Sequence, residues 1–260
     1  MSTPAPDRIH RPLGFIAATL AIVGAVSAAG CRSAPIDVGE DLGFMQEAAP
    51  GKVLSGHDAM PAKASRFTYA ITEGRGAGSD VIIIQERDEN DEIVWIVSRA
   101  PANDPDKPTR RDRIRYEDDG SIVLLETHNI DRDVISRFDP PLIILPSELK
   151  PDDPHEQKLT MTLHPPSTPD RERDRGDARN TITLVASQRL ETGDGGFDAL
   201  RIEAVLEADL RAAKVLNKTD TWIVPETGMV AERYNEEARA FGIVVSSRTH
   251  LMVVKEIENE

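Results

Sequence analysis

Aromatic residues are scarce, at 4% of 260 positions, which argues against a surface built to stack sugars or the bases of single-stranded nucleic acid. There is one cysteine, Cys31, so no internal disulfide can form and the usual sign of an oxidising compartment is missing. Positive charge is in deficit. The formal net charge is -14, and a body this acidic repels phosphate backbones, which sets nucleic acid aside as a partner. Beyond residue 29 no apolar run is long enough to cross a membrane as a helix. With 39% hydrophobic and 29% charged residues, the body has the composition of a globular domain with a real core.

Long apolar sequence occurs in one place. Arg8, His10 and Arg11 form a basic start, residues 13–29 are uncharged and mostly apolar, and small residues lead into Gly30-Cys31. A positive start, an apolar stretch and a small-residue exit are the three parts of a secretory signal. The apolar stretch has 17 residues, marginal for a spanning helix, which wants about 20.

Ala28-Ala29-Gly30-Cys31 resembles the lipobox of bacterial lipoproteins, with Ala28 where leucine is commonest. The resemblance implies cleavage between Gly30 and Cys31 and a thioether-linked diacylglycerol on Cys31. Anchoring is then permanent, because two or more acyl chains hold where one is marginal. The resemblance also implies sorting by the next residue. Arg32 is not the aspartate that favours inner-membrane retention, so the outer membrane is expected over the inner.

Residues 31–65 read as the lipidated cysteine and a flexible tether, with Pro35, Gly39, Gly43, Pro50, Gly51, Gly56 and Pro61 scattered through them. Residues 66–260 read as a single β domain. Alternating segments at 67–73, 81–87, 92–99, 112–117, 121–128, 159–164 and 181–190 are separated by turn residues such as Asp118-Asp119-Gly120. Residues 197–214 are helical by propensity but alternate strictly, with Leu200, Ile202, Ala204, Leu206, Ala208 and Leu210 on one side. A helix would bury Glu203 and Glu207, so strand is expected. Residues 214–224, 229–235 and 241–254 complete the set. Residues 101–111 and 165–180 read as loops, and the proline-bounded run 140–146 as a rigid segment crossing an open edge or end of the sheet.

This many strands without interleaved helices predicts an all-β, strongly curved antiparallel sheet, half-barrel or sandwich. The segments 196–203 and 221–230, with the Pro-Leu-Ile-Ile-Leu-Pro run, are similar to pieces of uncharacterised bacterial envelope lipoproteins. Over residues 140–254 that resemblance implies such a sheet and no activity.

Catalytic and metal motifs do not assemble. The glycine loop 74–79 precedes Val81-Ile82-Ile83-Ile84, a strand, and lacks the helix a phosphate cradle needs, so it reads as a hairpin. His57, His128, His155, His164 and His250 show no metal-ligand spacing, and no serine sits in a nucleophile elbow. The acidic run 88–92 lacks the glycine and late glutamate of a calcium loop. No cofactor is expected. Trp95 and Trp222 lie in apolar strands, where core packing is the ordinary role and lining a ligand groove the sharper one. The expectation is a membrane-tethered, non-catalytic domain that binds an envelope protein or cell-wall material. A carrier of a lipid or other apolar ligand is the alternative, and would show a cavity of roughly several hundred Å³ facing Trp95 or Trp222. A hydrolase of unrecognised type is a second alternative, requiring a polar cleft with perturbed carboxylates or histidines.

Overall fold

A computed structural model describes residues 44–48, 53–60, 62–192 and 195–259. The expected leader, the expected cleavage site and Cys31 lie outside the described residues. In chain order the elements are β1 (Phe44–Ala48), α1 (Gly56–Ala59), β2 (Ser65–Gly74), β3 (Asp80–Asp88), β4 (Asp91–Pro101), β5 (Arg110–Tyr116) and β6 (Ile122–Asn129). There follow β7 (Val134–Leu145), β8 (His155–His164), β9 (Asp174–Thr192), β10 (Gly195–Leu210), β11 (Lys214–Val224), β12 (Gly228–Ala240) and β13 (Ile243–Asn259).

From β2 to β13 each strand pairs antiparallel with the next, and β13 returns to pair with β2. The sheet is all-β as expected, and its curvature runs to closure, which removes free sheet edges along most of the ring. β9 is long enough to be covered twice: β8 pairs with residues 174–182, and β1 with residues 187–190. The strictly alternating segment from residue 197 is indeed strand, β10, with Ile202 and Ala208 buried and Glu207 and Asp209 exposed. Burial of the apolar face outweighs helical propensity there.

Three expectations are corrected. The stretch read as tether supplies β1 and α1. Leu54 and Ala59 are buried, Leu54 exchanges both backbone hydrogen bonds with Leu149, and Asp58 O accepts from Glu226 N. Two buried apolar residues among glycines and prolines are too few to show as a periodic face. The stretch 165–180, read as loop, is loop only in its first part, since β9 begins at Asp174 and takes in residues 174–180. The carboxylate of Asp174 accepts from the backbone N–H groups of Arg175, Arg211 and Ala212, which ties the start of β9 to the β10–β11 turn.

The third correction is β7. The prolines do not bound a crossing segment; they sit inside a strand paired on both edges, with β6 and β8. The ladder shifts register between Leu124 and Glu126, which leaves residues 138–141 unpaired with β6, so no ladder donor is required of Pro140 or Pro141. Side chains take over the backbone groups. Gln157 Nε2 donates to Pro141 O and its Oε1 accepts from Ile143 N, while Asn180 Nδ2 donates to Ile143 O.

Candidate functional site

Eight strands close around side chains alone, whereas twelve enclose more space than side chains fill. Along β4 the residues Trp95, Val97 and Arg99 point inward in turn, one strand period apart, and they mark three levels of the interior.

The first level is packed. Trp95 lies edge-on to Tyr116, with Arg87 4.2 Å above its ring, and Ile114, Ile122, Leu145 and Leu149 fill the space around it. α1 plugs this end of the barrel. A Cβ on Gly56 would stand 2.5 Å from Gly120 O, so only glycine allows the plug to seat this deeply.

The second level is hollow. A cavity of about 440 Å³ is walled by Val97, Ile114, Leu124, Phe138, Met161, Leu163, Ile182, Ile202, Ala204 and Leu206. Its wall becomes polar toward Arg99, the third level.

Here charged side chains pair along the wall and across the interior. Arg99 donates to Glu232 Oε1 at 2.9 Å, and His250 Nε2 stands 3.2 Å from the same oxygen. Arg110 donates to Asp112 at 2.9 Å, and Thr127 Oγ1 donates to that carboxylate as well. Arg132 pairs with Glu236, which also accepts from Tyr234 Oη at 2.7 Å, and the Tyr234 ring stacks on His250 at 5.2 Å. Burial pushes the Glu232 carboxyl up, but Arg99 and His250 overcome it and hold the group well below the ordinary range. Glu236 is shifted down in the same way: burial opposes ionisation, and the bonds from Arg132 and Tyr234 outweigh it. Burial lowers the Arg110 guanidinium, and Asp112 more than restores it. Both carboxyls are ionised at neutral pH, so the wall is a set of paired opposite charges facing an apolar space.

Neither Trp95 nor Trp222 lines this cavity: both pack in apolar clusters, the ordinary role, and the sharper alternative of a ligand groove does not apply to them. Trp95 belongs to the packed level. Thr221 and Ile223 line the cavity, so Trp222 between them faces the outside of the ring, where its Nε1 donates to Gln188 at 2.8 Å. Of the histidines only His250 enters the charged network. His164 is buried on a strand end with Nε2 3.0 Å from Thr162 Oγ1, and no cluster of metal-ligating side chains occurs among the described residues. The glycine loop 74–79 is the β2–β3 hairpin turn, with Gly74, Gly76 and Gly78 all at positive φ.

Sequence reasoning missed Arg99, Arg110, Arg132, Glu232, Tyr234 and Glu236. A signal was present. Glu232, Tyr234 and Glu236 on one face of β12 oppose Arg233, Asn235 and Glu237 on the other, and a strand polar on both faces must turn one of them to a wet or charged interior.

The outer wall is charged as well, with Glu203, Glu207, Asp209, Lys214 and Lys218, where a membrane-spanning barrel carries an apolar belt. A larger concavity of about 1130 Å³ reaches this surface beside Lys158, Arg179 and Glu237, but it is open and walled by exposed charges. No described helix is long and apolar enough to cross a membrane.

No family model and no curated protein matches the chain. Two solved structures are similar. One is a candidate exported protein with a YmcC-like fold from Bacteroides fragilis, 12% identical, covering 76% of this chain and 96% of its own, with a TM-score of 0.40. The other is a candidate lipoprotein from Parabacteroides distasonis, 9% identical, covering 78% of this chain and 98% of its own, with a TM-score of 0.38.

Proposed function

We propose that the chain is an exported lipoprotein, held at a membrane of the bacterial envelope through a lipid on Cys31, and that its barrel binds an amphipathic ligand without transforming it. The observation that carries the binding reading is the internal cavity of about 440 Å³, apolar over most of its wall and bounded on one side by Arg99, Arg110 and Arg132 with their carboxylates. An apolar chain gains by leaving water for the Ile, Leu and Met wall. A polar head reaching the charged level meets donors and acceptors already oriented, so little reorganisation is required of the protein. Support for the anchor is the sequence itself: basic start, apolar stretch, small-residue exit and a sole cysteine at the cleavage point.

Native mass spectrometry of protein purified from membranes tests both parts. The expected spectrum shows loss of residues 1–30, added lipid mass on Cys31 and a co-purifying amphiphile that dissociates on activation. A protein that carries the lipid but never a ligand, and that takes up no fluorescent fatty acyl probe, removes the binding reading and leaves the anchor standing.

A further inference from the structure

The β12–β13 hairpin ends in a tip that the folded domain does not use. Phe241 is 100% exposed, Ile243 70% and Val245 59%, with Val244 beside them at 46%. The tip stands clear of its neighbours. On one edge β11 stops at the Lys214–Arg239 rung, and on the other β2 reaches β13 only at Gly74 and His250.

The turn residues make the point sharper. Phe241 has φ 52° and Gly242 φ 79°, so both central residues of a two-residue turn occupy the left-handed region. Asn-Gly is the favoured pair for such a turn, and a bulky side chain in the first position is strained. Phe241 therefore makes the turn less stable than asparagine would, and it contributes no burial in return. Its side chain has to meet something outside the domain.

We infer that this tip inserts into the interfacial layer of a lipid bilayer. Ile243 opposes Ala240 and Val244 opposes Arg239 on adjacent rungs, so Ile243 and Val244 lie on opposite faces of the hairpin and each face of the tip presents an exposed apolar side chain, with Val245 in the bulge behind them. A partner strand would cover an edge and one face of it; a bilayer covers every side. The depth fits. Two residues on each arm lie beyond the Arg239–Val244 rung or at it, and at about 3.3 Å per residue the apolar tip is roughly 7 Å long, within the 5–10 Å over which apolar side chains enter the interface. The charge fits as well. Lys214 and Arg239 form a rung at the base of the tip, where a headgroup layer would meet them. Lys214 is paired with Asp209 and Arg239 with Glu237, so the base of the tip carries both signs, as zwitterionic headgroups do.

The inference stands apart from ligand binding and from lipidation, and its test avoids both. The full chain carrying Cys31→Ser and Val244→Cys has a single thiol, which is labelled with the polarity-sensitive dye NBD. Vesicles of phosphatidylethanolamine and phosphatidylglycerol are added at a protein concentration where the dye reads water. The expected result is a blue shift and protection from iodide quenching, both lost when Phe241→Asn and Ile243→Thr are added, with thermal stability unchanged or higher. A dye that stays water-like while the protein sediments with the vesicles overturns the inference. So does a shift that survives Phe241→Asn with Ile243→Thr. A shift that follows protein concentration without vesicles assigns the tip to a second copy of the chain and overturns it too.

Discussion

Glu232 on β12 and Arg99 on β4 form an ion pair at 2.9 Å although β13, β2 and β3 separate their strands in the sheet. The pair therefore spans the interior and not the ladder, and it joins two parts of the wall that no backbone hydrogen bond connects. Breaking a fully buried pair from one side costs about 3 kcal/mol or more, and with side chains 21% and 14% exposed the charge left here is partly solvated, so the cost is roughly 1–3 kcal/mol. Glu232→Gln should lose about that much in urea unfolding at neutral pH, and Arg99→Met a similar amount. The double variant should cost less than the two singles together, because it leaves neither charge behind.

The same pair sets an acid response. Glu232 and Glu236 are both held below the ordinary carboxyl value of 4.5 in the folded chain. A group depressed by folding binds fewer protons in the native state than in the unfolded one, so the stability it contributes is complete above 4.5 and is lost as pH falls toward the folded value. Stability should decline steeply below that point, and Glu232→Gln should show a shallower decline from a lower starting level. An acid slope unchanged by the substitution would show that Glu232 is not held in the ionised form.

Filling the cavity separates binding from folding. Ala204 lines the hollow level, and the space before it is already empty. Ala204→Phe should abolish uptake of a fatty acyl probe. It should change unfolding stability by less than about 1.5 kcal/mol, because the added ring enters a void and not a packed core. A variant that binds the probe as the parent does places the ligand elsewhere.

Much of the fold was legible in the residues. Alternation predicted most of the strands, though not β1, β7 or the start of β9, and it decided β10 correctly against a helical composition. Closure was not legible, because the pairing of β13 with β2 joins segments about 180 residues apart and leaves no local mark. β7 failed for a definable reason. The rule that bars proline from central strands assumes a regular ladder, and here a bulge with the amides of Gln157 and Asn180 replaces it. The site was missed because alternation was read only for apolar residues; Arg99, Glu232 and Glu236 follow the inward parity but are charged. The two tryptophans drew attention by size, and size alone does not say which side of a wall a residue faces.

Trp222 has a structural part that can be measured alone. It is 2% exposed, and its indole donates to Gln188, itself buried. Trp222→Phe keeps most of the apolar volume and leaves the amide of Gln188 short of a partner, so the expected loss is about 1–3 kcal/mol. Probe uptake should be unaffected, since the side chain lies on the opposite face from the cavity. A change in uptake larger than the change in stability would link that outer face to the lumen.

On the proposed reading, a lipid on Cys31 sets where the domain resides. The body is acidic, its described outer wall is charged, and the apolar tip on β13 is too short to hold a domain permanently. The proposal therefore assigns stable residence on a membrane to the lipid. Cys31→Ser should move the mature chain from the membrane fraction to the soluble fraction of the envelope, or leave it as uncleaved precursor, and should change its mobility on a gel in either case. If the variant still sediments with membranes at the same apparent mass as the parent, no lipid was attached at that position. The domain would then be retained by some other contact, with its barrel still to be explained as a soluble binding module.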